Sequence, residues 1–209
     1  MRRVHRLLAI GLIGLVAAGC STPASSVSPS VQPTVQPSGT AAPTASPPAT
    51  SDSPEPVPSE DLEEFSCDQL PIHEDATVAK ANIVDVRMAT HDGFDRVVFE
   101  FTDGLPEVFL DPAEPPFAED GSGFPIDVEG ESFLRLIMRG GTKQTDEGTS
   151  SYDGPTEFDP GFPTLVDLVE GGDFEAQSTW YFGLSSEACV RVMTLTDDGA
   201  PRLVIDVEN

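Results

Sequence analysis

Residues 84–101 read VDVRMATHDGFDRVVFEF, and this stretch decides the fold. In each half, apolar residues alternate with polar ones, which is the period of a half-buried β-strand. The apolar positions are Val84, Val86, Met88, Val97, Phe99 and Phe101. The intervening residues 91–95 favour a turn, and Gly93 is free to take a positive φ. The stretch therefore predicts a β-hairpin.

Six more segments have the same character and predict further strands. They are 107–110, 132–139, 164–170, 177–184, 189–196 and 202–207. Residues 165–169 also fit a helical period, so a short helix is the alternative there. About eight short strands separated by turns predict an all-β domain, an antiparallel β-sandwich or open barrel, over residues 60–209. The loops 111–130 and 140–161 are long, and such loops are usually functional or mobile.

The composition is strongly acidic, with 36 Asp and Glu against 11 Lys and Arg and a net charge of −25. Nucleic acids bind basic surfaces with release of counterions, so this balance excludes a nucleic acid as partner. An acidic body is not attracted to anionic lipid either. Any attachment to a membrane has to come from another part of the chain.

Residues 1–19 have the pattern of an export signal. Three arginines precede an uninterrupted stretch of apolar residues and glycines at 7–18. This stretch is shorter than the roughly 20 residues of a membrane-spanning helix, so it predicts export rather than a span. Its end, LVAAGC, resembles the bacterial lipobox, in which the cysteine is diacylated and becomes the new N-terminus. We expect lipid on Cys20 to hold the protein on the extracytoplasmic face of the cell membrane. The alternative is an ordinary secretory signal cut near Ala18.

A linker over residues 20–59 follows the leader. Residues 21–58 include 10 Pro, 9 Ser, 5 Thr and 5 Ala, with no aromatic residue, Leu or Ile. Such a segment buries too little apolar surface to offset its ordering entropy, so we expect disorder with a polyproline bias. Fully extended, it would reach about 120 Å at roughly 3.1 Å per residue. A spacer is the expected role, and O-glycosylation or binding by a proline-recognition module is the alternative.

The cysteines predict one disulfide. With Cys20 assigned to lipid, Cys67 and Cys189 remain as an even pair outside the reducing cytoplasm. Their bridge would close an interval of 122 residues. Metal ligation or a catalytic thiol is the other possibility, but the sequence contains no CxxC or HExxH spacing and only three histidines. We expect no metal and no cofactor.

Three segments together resemble a known family. They are 83–87, 91–101 and 201–207, and they are similar to the AMIN-like domain of actinobacterial lipoproteins, with the likeness extending over residues 81–209. That family is related to the AMIN module, which helps to place amidases and secretins at the bacterial envelope. The resemblance implies a β-sandwich that binds envelope material such as peptidoglycan without catalysing a reaction. It carries over no individual functional residue.

Four residues are candidates for ligand binding: Arg96, Arg135, Arg139 and Tyr181. Peptidoglycan stems carry carboxylates, and arginine binds a carboxylate through two parallel hydrogen bonds. Arg135 and Arg139 alternate with inward residues and would share a face with Ile137. The alternative is that the cations neutralise acids on neighbouring strands, as Arg87 and Arg96 could with Asp85 and Glu100.

Aromatic and acidic residues in the loops are weaker candidates. Six phenylalanines next to Gly, Pro or Asp could form a ligand surface, although plugs that pin loops to the sandwich are expected: Phe94, Phe117, Phe124, Phe158, Phe162 and Phe174. The acidic loops around Asp120 and Asp146 lack a calcium-loop motif, so no dedicated site is expected. His91, in the hairpin turn, is interpreted as a turn residue.

The sequence therefore favours a lipid-anchored, non-catalytic binding or scaffolding module of the envelope, which binds peptidoglycan or another wall polymer. A second hypothesis is a protein-binding adaptor or an inhibitor of an envelope enzyme that offers a sheet edge for strand addition. A third, an enzyme, requires a deep polar cleft between the long loops. It is weaker, because the sequence lacks GxSxG and SxxK and has no nucleophile with a recognisable base beside it.

Overall fold

The computed structural model describes residues 63–68, 70–197 and 199–209. The predicted leader, the lipid-bearing Cys20 and the linker lie outside these residues. Within them the chain forms thirteen β-strands and no helix that could cross a membrane. The strands are β1 (Ile72–Glu74), β2 (Ala81–His91), β3 (Phe94–Phe101), β4 (Glu107–Ala113), β5 (Phe117–Ala118), β6 (Pro125–Ile126), β7 (Ser132–Arg139), β8 (Gly141–Thr142), β9 (Glu157–Phe158), β10 (Leu165–Phe174), β11 (Gln177–Leu184), β12 (Val190–Leu195) and β13 (Arg202–Glu208).

Eleven of these strands form two sheets, which confirms the all-β prediction. The six-stranded sheet has the order β1-β4-β7-β11-β10-β9, and the five-stranded sheet has the order β12-β13-β3-β2-β8. The short strands β5 and β6 pair with each other. Neighbours in both sheets are antiparallel except β2 and β8, which pair in parallel. The two predicted alternatives were a sandwich and an open barrel, and the arrangement is the sandwich.

The core lies between the two sheets and is built from the inward residues of each. Trp180 of β11 meets Phe99 of β3 edge-to-face across the core, with ring centroids 5.3 Å apart. Both rings are fully buried. Such aromatic pairs add about 0.5–1.5 kcal/mol to the effect of area burial. The period-two pattern therefore identified the side chains that hold the sheets together.

The predicted hairpin is confirmed as β2 and β3. His91 pairs with Phe94, and Gly93 in the turn has a φ of 90°. One detail of the prediction is wrong. The register shifts between Ile83 and Asp85, so Val84 is the extra residue of a β-bulge and is only half-buried, whereas Ile83 is buried. A bulge interrupts the alternation, and sequence periodicity alone does not locate it.

Residues 165–169 are strand and not helix. They belong to β10, which pairs with β11 on one side and with β9 on the other. Pairing on both sides satisfies the backbone groups of this segment and overrides its ambiguous period. The register shifts between Glu170 and Gly172, just before the hairpin turn to β11.

The terminal strands of the sheets are short or covered. β1 has three residues, and β8 and β9 have two each. At the remaining edge, β12 is bridged by Ser66, whose N–H donates to the Val190 carbonyl at 2.7 Å. The outer side of β2 differs, because β8 pairs only with Ala81 and Asn82 and no other strand of the described chain pairs with that side. Partner binding by strand addition therefore stays a hypothesis, with β2 as the available edge.

The predicted disulfide between Cys67 and Cys189 is confirmed. It holds residues 63–68, which we call the N-terminal arm, against β12. In the arm, Phe65 lies over the guanidinium of Arg191, 4.4 Å from its ring centroid. The bridge and this ring contact fix the start of the described chain to the strand that precedes the C-terminal one.

Candidate functional site

The surface that contains most of the predicted ligand residues is the outer face of the six-stranded sheet. In β7, Leu134, Leu136 and Met138 are buried in the core, so the residues between them point to the opposite side. The register places Arg135 opposite Asp111 of β4 and opposite Tyr181 of β11. Three predicted residues, Arg135, Arg139 and Tyr181, therefore share one face.

Arg139 belongs to a cluster of charged and aromatic side chains at one end of this face. Its guanidinium lies 4.5 Å from the ring centroid of Phe109, and the ring of His73 stacks on Phe109 at 4.5 Å. Glu107 lies beside both cationic groups: its carboxylate is 3.1 Å from His73 Nε2 and 3.6 Å from Arg139 Nη1. The Arg139 side chain is 58% exposed. The Phe109 ring is half-buried among these groups, so the exposed Arg139 guanidinium is the part of the cluster that can bind a carboxylate.

Arg135 is also loosely paired. Its Nη2 is 3.5 Å from Asp111 Oδ2, longer than the roughly 2.7–2.9 Å of a strong charge-assisted hydrogen bond. The side chain is 42% exposed. Its Nε is buried and has no hydrogen-bond partner among the described residues. The loosely paired end of the guanidinium, rather than the enclosed Nε, is the part of Arg135 that a ligand could reach.

Tyr181 lies next to Arg135 but is not open to solvent. The ring of Phe117 covers it, with centroids 4.6 Å apart, and Tyr181 is buried. Burial raises the pKa of its phenol; the nearby Asp120 carboxylate raises it further, whereas Arg135 lowers it. The loop that contains Phe117 thus separates Tyr181 from any ligand on the outer face. Its contribution there is the support of Arg135.

Arg96 lies on the other sheet and is buried. Its Nε and Nη2 donate to the two carboxylate oxygens of Asp206 at 2.6 and 2.9 Å. Arg191 donates to the same carboxylate through Nε at 3.0 Å. The alternative of neutralisation across strands describes Arg87, which pairs with Asp85 and Glu100, and in looser form it also describes Arg135 with Asp111 and Arg139 with Glu107. For Arg96 the partner is Asp206, since β13 and not β2 places an acid opposite it.

The loop phenylalanines divide into two groups. Four are plugs, as expected: Phe94, Phe117, Phe158 and Phe162 contact other rings or the core. The other two are exposed, Phe124 by 70% and Phe174 by 53%, and they are the large hydrophobic residues most open to solvent in the described chain. Both lie near the hollow between the long loops.

A polar hollow of about 550 Å³ does lie between the long loops. Lys143 and Glu170 form an ion pair on its wall, with Nζ and Oε2 2.5 Å apart. Burial raises the pKa of the Glu170 carboxyl, while the hydrogen bond and charge of Lys143 lower it. Ser150, also on the wall, donates its hydroxyl to the Tyr152 carbonyl. The described lining of the hollow is polar and charged and includes no histidine or cysteine.

The acidic loops do not gather a metal-ligand set among the described residues. The one group of three with ligand atoms close enough together is Cys67, Cys189 and Glu208, and its cysteines form the disulfide. His91 stacks on Phe94 at 4.7 Å, and its carbonyl accepts a hydrogen bond from Asn209. This is the turn role that the sequence predicted.

The model of the AMIN-like domain family matches residues 81–209, more than half of the chain. The chain belongs to the AMIN-like family. This membership confirms the resemblance seen in the sequence and places the AMIN-like domain among envelope-associated, non-catalytic modules. No curated protein and no solved structure matches the chain.

Sequence reasoning missed His73, Glu107 and Phe109. Phe109 alternates with the core residues Val108 and Leu110, so its outward direction was readable from the sequence. The residues that surround Phe109 could not be predicted, because β1 and β7 lie beside β4 only through the strand order of the folded sheet.

Proposed function

We propose that this AMIN-like protein is an exported, lipid-anchored binding module that holds a wall polymer, such as peptidoglycan, on the outer face of its six-stranded sheet. The observation that carries the proposal is how far each arginine is exposed and how closely it is paired with an acid. Arg135 and Arg139 are exposed and loosely paired at 3.5 and 3.6 Å, whereas Arg96 and Arg191 are buried on Asp206. The outer face is thus where an acidic protein retains arginines for an anionic ligand.

The neighbouring groups suit this ligand class. The partly exposed guanidinium groups of Arg135 and Arg139 supply donors, and the half-buried Phe109 ring supports Arg139. Stem peptides of peptidoglycan carry carboxylates, which are partners for both guanidinium groups. Each contact is weak by itself at an exposed site.

The anchor makes weak contacts sufficient. Acylated Cys20 confines the domain to a layer set by the reach of the linker, so the effective concentration of wall polymer around the domain is high. Retention at the wall then does not require tight binding. After removal of residues 1–19 the chain has 8 basic and 36 acidic residues, a charge of −28. Lipid, rather than protein charge, then supplies the attachment to the membrane.

The test of wall binding is sedimentation with purified sacculi. The chain is produced from residue 20 onward with Cys20→Ser, so that neither leader nor lipid is present, and is mixed with sacculi at about 150 mM salt, near the physiological ionic strength. We expect retention of the parent, and a reduction of about tenfold in affinity for R135Q/R139Q, since two charge-assisted contacts are lost.

The matched control is R87Q, which removes an arginine from the other sheet and should leave retention unchanged. Failure of the parent to sediment contradicts wall binding. Equal loss in R87Q and R135Q/R139Q assigns retention to net charge and contradicts the outer face as the site. The anchor is tested separately: the native chain should fractionate with membranes, and the Cys20→Ser chain should not.

A further inference from the structure

Three hollows lie side by side at the loop end of the sandwich. The central hollow of about 550 Å³ shares Gln144 and Asp173 with a second hollow of about 540 Å³. It shares Glu119, Thr156 and Glu170 with a third of about 380 Å³. We call the three adjacent hollows together the acidic groove. Its walls are the two long loops and the turn between β10 and β11.

The groove is strongly anionic. Seven carboxylate residues and two lysines line it. Lys80 is paired with Asp146 at 2.7 Å, and Lys143 is paired with Glu170. Asp173 accepts hydrogen bonds from the Thr142 hydroxyl and the Lys143 backbone N–H. The other lining acids that form no ion pair with these lysines are Glu119, Asp127, Glu157 and Glu175. Surfaces of one charge attract and orient ligands of the opposite charge.

Glu170 shows that the anionic character reaches the floor of the groove. Its side chain is only 8% exposed, and it lines two of the three hollows. One carboxylate oxygen contacts Lys143, while the other, Oε1, is buried and has no hydrogen-bond partner among the described residues. A buried acceptor without a partner costs about 1–3 kcal/mol.

An apolar contact is available at each end. Phe124 lines the hollow at one end, and Phe174 lines the hollow at the other. These are the two exposed large hydrophobic residues of the described chain. Exposed aromatic side chains beside a groove are typical anchors for a partner. A ligand complementary to all three hollows is therefore apolar at both ends and cationic between them.

We propose that the acidic groove is a docking site for an extended basic peptide segment of a partner protein, with lysines or arginines in the central hollow and apolar residues on Phe124 and Phe174. The site is separate from the outer face. It adds protein binding to wall binding and gives the adaptor hypothesis a location other than a sheet edge.

Direct binding of defined peptides tests the proposal. The probe is a fluorescein-labelled decapeptide with leucine at each end and four lysines separated by glycines, titrated with the same Cys20→Ser chain by fluorescence anisotropy. We expect saturable binding at micromolar concentrations. The same peptide with glutamates for lysines should not bind, and the peptide with glycines for the terminal leucines should bind about tenfold more weakly.

Variants of the protein locate the site. F124A/F174A should weaken binding about tenfold, and E119Q/E157Q/E175Q should weaken it by at least about fivefold and reduce its salt dependence. All five residues are exposed, so folding should persist. The matched control is D103N/E114Q/E187Q, which removes three exposed acids that do not line the three hollows.

Absence of saturable binding overturns the proposal. So does equal weakening by the groove and control triple variants, since it would show attraction to net charge alone. Binding that persists undiminished in both groove variants overturns it as well. Sacculus retention of the groove variants should equal that of the parent, so this result and the outer-face result can fail independently.

Discussion

The most consequential single residue of the interior is Asp206. It is fully buried in β13 and accepts hydrogen bonds from two buried guanidinium groups, those of Arg96 and Arg191. A buried charge is tolerated when it is paired and becomes costly when its partner is removed. Two arginines share the single carboxylate of Asp206, and the rings of Phe65 and Phe94 lie over Arg191. The Asp206 carboxylate therefore connects Arg96 of β3 with Arg191 of β12 in the five-stranded sheet.

We therefore expect D206N to destabilise the protein strongly. Loss of the carboxylate leaves two buried guanidinium groups without a counter-ion, and breaking a buried pair in this way costs about 3–5 kcal/mol. The free energy of unfolding from urea titration is the measurement. D146N is the control: Asp146 pairs with Lys80 on the exposed surface, and its loss should barely move the urea midpoint. Equal effects of the two substitutions would contradict the structural role of Asp206.

The tyrosines provide a second residue-scale prediction. Burial raises the pKa of Tyr152 to about 12, with further increases from Asp85 and Glu170. Its hydroxyl donates to the Pro155 carbonyl at 2.7 Å, which retains the proton. The pKa of Tyr181, the other tyrosine of the chain, is raised too. At about pH 10, the usual tyrosine pKa, the folded protein should show little tyrosinate absorbance, whereas the chain in concentrated urea should be half ionised.

The sign of the linked stability effect is fixed by the same shift. Because the folded pKa of Tyr152 lies above the unfolded one, its contribution to stability is complete below about pH 10 and is lost as the pH rises towards about 12. Y152F should remove this part of the alkaline loss of stability. An absorbance titration in which folded and unfolded protein coincide at about pH 10 would contradict the burial of both phenols.

At the scale of the elements, the turn between β10 and β11 is under backbone strain. Phe174 pairs with Gln177, so Glu175 and Ala176 form a two-residue turn, and both have positive φ values of 53° and 59°. Two-residue hairpin turns of this kind favour Asn-Gly, because L-residues with a side chain rarely adopt positive φ. Neither Asn nor Gly occupies these two turn positions.

A176G should consequently stabilise the hairpin. Relief of the left-handed conformation outweighs the added flexibility of the unfolded chain, and we expect a gain of about 0.5–1 kcal/mol. Thermal and urea unfolding measure it. G93A is the control of opposite sign: Gly93 has a φ of 90°, and nothing lies within 4 Å of an added Cβ, so any loss there is conformational. A gain in both variants would refute the strain argument.

The elements also show how far the sequence could be interpreted. Strands β7 and β11 begin and end where the alternation of residues 132–139 and 177–184 predicted. Val84 was assigned the wrong face because a bulge forms where two strands pair, and the periodicity of a single strand does not reveal it. The five strands of two or three residues were not predicted, since they are defined by their neighbours and not by their own pattern. Arg135 and Arg139 were placed on one face correctly, but Arg96 lay on the other sheet.

The acidic groove was beyond the reach of the sequence for the same reason. The long loops were identified as unusual, and Phe124 and Phe174 were noted as loop aromatics. Their position at opposite ends of one surface follows from the fold, which joins residues 119–127, 143–150 and 170–176. Residues remote in the chain meet there without any local pattern that marks them.

At the scale of the whole molecule, the disulfide contributes most per bond. It closes an interval of 122 residues, and removal of a native bridge of this kind typically costs about 2–5 kcal/mol. Reduction, or C67S/C189S, should lower the free energy of unfolding by that amount and expose Arg191 as the arm detaches. Urea titration with and without reductant is the measurement. The Cys20→Ser chain is the control and should show the same loss on reduction, because Cys20 takes no part in the bridge.

The bridge between Cys67 and Cys189 also determines how the domain bears mechanical load. Tension applied from the N-terminal side first loads the hydrogen bonds of Ser66 with Val190 and then meets the sulfur–sulfur bond of Cys67. Pulling can detach the residues before Cys67, but it cannot unzip the strands from that end unless the bond is first reduced. Under the proposed function, movement of the wall relative to the membrane would load the linker and this bond, and the sandwich would keep its fold.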